Sequence, residues 1–136
     1  MPELIDHIDK IARDKKRDVL FVIFHKDSEE PCNFEYRDCA ARETVVSWLT
    51  ANNISFYPCG HFASENGWMR YLGQLYIDVP FDGHDPSYQK LKNFLENPDG
   101  TMKIPGVGFC YLPLDHAMKN AHHDEPGFWD RWADNF

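Results

Sequence analysis

A single α+β domain is the fold class this sequence predicts, and three observations carry it. Val19 to Phe24 is an unbroken β-forming run, residues 68–79 alternate apolar with polar side chains, and both stand among segments whose apolar residues recur every three or four positions. A length of 136 residues suits one hydrophobic core, so residues 1–136 are read as one domain. Hydrophobic residues at 43% and charged residues at 26% exclude a disordered chain, a collagen and a membrane bundle.

Leu4, Ile5, Ile8, Ile11 and Ala12 fall at helical spacing, with Glu3 and Asp6 at the start and Lys15, Lys16 and Arg17 at the end, which suits the helix dipole. A first helix is predicted over residues 2–15. The Val19 to Phe24 run does not alternate, as a central strand covered on both faces requires. Residues 26–30 and Pro31 read as loop, and Asp38 is placed to cap a helix bearing Ala41, Val45, Trp48 and Leu49, which Asn52 and Asn53 end.

A short strand follows over residues 54–58. The Asn66-Gly67 turn signal then leads into a long strand over residues 68–79, with Met69, Tyr71, Leu75, Ile77 and Val79 on one face and Arg70, Gln74 and Asp78 on the other. Asp85 before Pro86 starts a helix that buries Tyr88, Leu91, Phe94 and Leu95, and Asn97-Pro98-Asp99-Gly100 breaks it. A last strand covers residues 107–112. Short helices are predicted from Asp115 to about His122 and from Pro126 onward, the second carrying Phe128, Trp129, Trp132 and Phe136.

Without its terminal helices the order is β-α-β-β-α-β, which resembles the ferredoxin-like split βαβ motif, and right-handed crossovers give it the sheet order 4-1-3-2. Residues 18–113 would form this core, 1–17 an added N-terminal helix and 114–136 a C-terminal helical tail. The likeness is one of fold and carries no function with it. Both crossover helices would cover the same face of the sheet. The first strand is apolar on both faces, so the second face needs a cover too: the N-terminal helix, the aromatic tail or a second subunit.

A formal net charge of −8 argues against a nucleic-acid surface, which needs clustered cations. Cys32, Cys39, Cys59 and Cys110 form no CxxC pair, so reduced thiols and a cytoplasmic location are expected. No apolar run is long enough to span a bilayer, and no membrane partner is expected. Nor does any motif ask for a cofactor.

Two sets of residues could carry chemistry. Cys59 and His61, on either side of Gly60, are a candidate nucleophile and base at one edge of the sheet. Asp82, His84, His116 and His123 are candidate metal ligands at the opposite edge, and Asp85 beside them is read as a helix cap. The aromatic stripe Phe128, Trp129, Trp132 and Phe136 suits either core cover or a partner-binding surface. With no catalytic signature, the expected function is a non-catalytic, acidic binding or regulatory domain that engages a protein partner or pairs with itself as a homodimer. The alternative is a small enzyme or a ligand- or metal-binding protein using one of the two edge clusters.

Overall fold

The strand β1, Val19–Phe24, is apolar at every position because both of its faces are used: Leu20, Val22 and Phe24 join one core cluster, and Val19 and Phe21 the other. In the computed structural model, which describes residues 6–25, 36–63 and 71–134, β1 is central to a mixed helix and sheet domain. Its neighbours β3, Leu75–Ile77, and β4, Val107–Leu112, run antiparallel to it, and β2, Phe56–Pro58, runs antiparallel to β3. The sheet therefore reads β2-β3-β1-β4, with β2 and β4 at its edges.

Helices α2, Ala40–Ala51, and α3, Pro86–Leu95, cover one face, where Val45, Leu49, Leu91 and Leu95 pack on Leu20, Val22, Leu75 and Ile77. Burying side chains of this kind contributes roughly 1.5 to 3 kcal/mol each. Asp85 caps α3 by accepting from the Tyr88 N–H at 3.0 Å, with Pro86 in the first turn, as the sequence predicts. α2 differs from expectation: Asp38 sits inside a 3-10 turn, Tyr36–Asp38, and Cys39 occupies the cap position without a side-chain bond.

The second face is covered from within the chain. Helix α1, Ile8–Lys15, lays Ile8 and Ala12 on Val19, Cys59, Tyr76 and Leu112, and Ala117 of α4, Leu114–Ala117, closes the same cluster. α1 begins later than its periodicity suggests, because His7 takes an extended backbone and bridges to Gly60. Leu4 and Ile5 lie outside the described residues, as do the 26–30 loop, Pro31, Cys32, the Asn66-Gly67 turn, residues 68–70 and Phe136.

Two further expectations are corrected. Of residues 71–79, the described part of the predicted strand 68–79, only Leu75–Ile77 pairs as a strand: Gly73 turns the chain at φ +89, and Tyr71 to Gly73 bond to Gln74 and Arg42 instead of extending the ladder. The predicted helix 115–122 is α4 followed by a 3-10 segment, Met118–Asp124, in which Asn120 leaves helical geometry at φ −103 and ψ 19. Asn120 does so while its side chain bonds Asp9 and the Ala63 carbonyl. Helix α5, Phe128–Asp134, ends the described chain.

Candidate functional site

Three polar or aromatic groupings stand out, and the first is buried. Asp9, fully inside on α1, accepts from the Ala63 N–H at 3.0 Å, Arg13 Nη1 at 3.0 Å and Asn120 Nδ2 at 2.9 Å. Arg13 also grips Asp124 through two bonds, at 2.7 and 2.8 Å, and donates to the Ala117 carbonyl. Burial alone would raise the Asp9 carboxyl, but the bonds from Asn120, Ala63 and Arg13 outweigh it and hold the group below the usual carboxylate range. Both carboxylate oxygens of Asp9 are answered, so this network ties α1, the 60–63 loop and the C-terminal segment together rather than presenting a reactive group.

The second grouping is histidine-rich. His61 faces the amide of Gln74, whose Oε1 accepts from the Leu72 N–H, so the amide nitrogen donates to His61 Nε2 and the ring proton sits on Nδ1. Burial, then the nearby His7, pushes the His61 pKa down, which keeps the ring in the neutral form this bond requires. His7 is also pushed down by burial, against the pull of Asp9, and stacks on Trp129 at 5.5 Å. Cys59 lies beneath α1 with its thiol pushed up to about 12 by burial, so it holds almost no thiolate at neutral pH. The sequence pairs Cys59 with His61; the structure gives His61 to Gln74 and Cys59 to the apolar core.

The four candidate metal ligands are engaged separately. His84 donates its backbone N–H to Asp82, and both are exposed on the loop before α3. His116 packs on Phe62 at 4.8 Å, while His123 is buried against Phe128 and Trp129, each at 4.7 Å. Among the described residues no three His, Cys, Asp or Glu side chains are grouped so as to hold a metal ion. Of the aromatic tail, Trp129 docks between His7 and His123, and Trp132 rests on Trp129 at 5.4 Å.

The third grouping lies at the sheet edge and faces outward. His25 N–H donates to the Gly106 carbonyl, which fixes the alternation of the β1 and β4 ladder: Gly108, Cys110 and Leu112 bond inward to β1. The backbone groups of Val107, Phe109 and Tyr111 therefore point away from the sheet. Val107 is buried, but Phe109 is partly exposed and Tyr111 is 53% exposed. Beside them Phe81, 43% exposed, stacks face to face on Tyr111 at 4.7 Å and meets Tyr88 edge-on at 5.5 Å.

The other edge is blunted. Cys59 N–H donates to Gln74 and Asp78 N–H to Ser55, so on β2 it is Phe56 and Pro58 that face outward, and Pro58 has no N–H to offer. β4 spans six residues, Val107 to Leu112, with no charge and no proline among them. No family model, curated protein or solved structure matches this chain.

Sequence reasoning missed both the buried network and the β4 edge, on which no strand among the described residues pairs. Asp9 and Arg13 carried a usable signal, being charges at i and i+4 inside the apolar stripe of Ile8 and Ala12. The edge has no local signal. Which groups of β4 face outward follows only from its register against β1.

Proposed function

We propose that this chain is a ferredoxin-like domain that works by binding protein rather than by catalysis, through the outer edge of β4 and the Phe81 and Tyr111 rings beside it. The observation that carries the reading is that edge: an uncharged strand presents the outward backbone groups of Phe109 and Tyr111 next to two stacked, exposed rings. Sheet edges are ordinarily blunted by charge, proline or shortness, as β2 is, so an edge left this way supports strand addition by a partner or by a second copy. The β2-β3-β1-β4 order and the placement of α2 and α3 on one face support the ferredoxin-like assignment.

The acidic balance of −8 supports a partner steered by complementary charge. The burial of Cys59 and the commitment of His61 to Gln74 support the non-catalytic reading over the small-enzyme alternative. The free thiols of Cys39, Cys59 and Cys110 support a reducing compartment, the cytoplasm.

The test compares wild type with a Phe81→Ala, Tyr111→Ala double variant, both immobilised and exposed to extract of the source cells at low and high salt, alongside native mass spectrometry. A bound protein, either a second copy or another chain, that the double variant loses is the expected result. Equal capture by both proteins, or a monomer that captures nothing, would overturn the reading. A small ligand or metal ion bound at unit stoichiometry would favour the pocket alternative.

A further inference from the structure

We infer that the occupant of the β4 edge is a second copy of this chain, paired antiparallel about a two-fold axis through Cys110. The inference rests on the binding reading above and names its partner. An antiparallel strand can satisfy a copy of itself only where its outward residues are placed symmetrically about one position. Val107, the third outward residue, is buried, and the two that are at least partly exposed, Phe109 and Tyr111, flank Cys110 in this way. With the axis on Cys110, the N–H and C=O of Phe109 exchange bonds with Tyr111 of the second copy, and the reverse, so the outward groups of both residues are answered in both chains.

The side chains fit the same axis. Gly108 would lie opposite Leu112 of the second copy. Ile23 already lies over Gly108, with its Cγ1 2.7 Å from where a Cβ would stand, so the arriving Leu112 meets a position without a side chain and an apolar neighbour. On the helix-covered face, Phe109 would stand beside Tyr111 of the second copy, extending the Phe81 and Tyr111 stack across the seam.

Charge selects the direction. The C-terminal end of β4 carries Asp115, with Asp82 held nearby by the contact of its neighbour Phe81 with Tyr111. Lys103 stands before the N-terminal end, its Nζ donating to the Asn93 carbonyl of α3 at 2.6 Å. Two-fold pairing turns one strand end for end against the other, so the acidic end of each copy meets the Lys103 end of its partner. Parallel pairing would set acid against acid.

The axis makes a sharp geometric prediction. Cys110 and its symmetry mate form a non-hydrogen-bonded pair, whose Cα atoms lie about 4.5 Å apart, within the range a disulfide spans. Diamide should therefore join them: two thiols give up two protons and two electrons, the S–S bond forms, and diamide is reduced to its hydrazine.

The experiment measures mass in solution for the wild type, Tyr111→Pro and Tyr111→Lys, and diamide crosslinking of the wild type and Cys110→Ser. Tyr111→Pro removes an outward N–H while leaving the ladder to β1 intact, and Tyr111→Lys adds the charge that edges ordinarily carry. The expected result is a wild-type dimer that falls to monomer mass in whichever of the two variants folds, and a crosslinked dimer absent from Cys110→Ser. A monomeric wild type, a dimer that persists in the folded variants, or no crosslink dependent on Cys110 overturns the pairing. A monomer that still captures another chain through Phe81 and Tyr111 removes the self-pairing alone; a monomer that captures none removes the binding reading as well.

Discussion

The Asp9 carboxylate accepts a 2.9 Å hydrogen bond from the Asn120 amide, 111 residues further along the chain. Through this contact α1 and the C-terminal segment are held as one layer over the second face of the sheet. Asn120 also donates to the Ala63 carbonyl, and the Ala63 N–H returns to Asp9, so three separate stretches of chain close one ring of bonds. Arg13 extends it to Asp124.

Removing Asp9 leaves Arg13 short of a buried partner and leaves the Ala63 N–H and the Asn120 amide without acceptors. Asp9→Ala is expected to cost about 3 to 5 kcal/mol of unfolding free energy, the range seen when one half of a buried ion pair is deleted. Asp124→Ala should cost on the order of 1 kcal/mol, since that carboxylate is partly exposed and water screens it. Urea unfolding of the two variants checks the order, and an Asp9→Ala loss no larger than that of Asp124→Ala would contradict the assignment.

Stability should fall with pH as the histidines begin to titrate. Burial lowers the pKa of both His7 and His61 below their ordinary 6.5, so between 6.5 and the lowered values the unfolded chain binds protons that the folded chain refuses. The contribution is present above pH 6.5 and lost below it, and protonated His61 would also set N–H against the Gln74 amide. Unfolding midpoints at pH 7.5 and 5.5 should therefore differ, and the difference should shrink in a His7→Gln, His61→Gln double variant. An unchanged difference in that variant would assign the effect elsewhere.

How far the sequence could be read depends on where each determinant lies. The central strand was legible because an uninterrupted run from Val19 to Phe24 states that both faces are covered, and the cap at Asp85 was legible because Asp before Pro acts within one turn. The third strand was overextended: alternation continues through Tyr71, yet Gly73 and the bonds to Arg42 redirect the backbone, and Arg42 belongs to a distant helix. Asp38 was a plausible cap by type but falls inside a 3-10 turn, a difference of one residue that composition does not resolve. Among the site residues, proximity in sequence misled. Cys59 and His61 are two positions apart, yet one goes to the core and the other to Gln74.

Gly73 should be far less replaceable than Gly100. Both Gly73 and Gly100 sit at φ +89, where any L side chain is strained, but a Cβ on Gly73 would stand 2.6 Å from the Tyr36 Cβ, whereas one on Gly100 meets nothing within 4 Å. Gly100→Ala is expected to lose on the order of 1 kcal/mol from backbone strain alone, and Gly73→Ala clearly more. Because the Gly73 carbonyl accepts from Arg42 beside Gln74, the clash should also disturb His61, and a shift of its ring resonances in Gly73→Ala but not in Gly100→Ala checks the route. Equal losses would mean that strain alone decides both.

Cys59 bears most directly on whether the chain does chemistry. A nucleophilic thiol must reach the thiolate and be open to attack; this one is fully buried, and burial pushes its pKa up to about 12. At pH 7.5 a disulfide reagent should leave Cys59 unmodified in the folded protein and label it once urea has unfolded the chain, which mass mapping of the labelled peptide reads directly. Cys59→Ala removes a buried sulfur under Ile8 and Ala12 and should lower stability by about 1 to 2 kcal/mol, as small core deletions do, while leaving capture of a binding partner unchanged. Fast labelling of folded protein at Cys59 would instead require that α1 lift away from the sheet, and would return the small-enzyme alternative to the front.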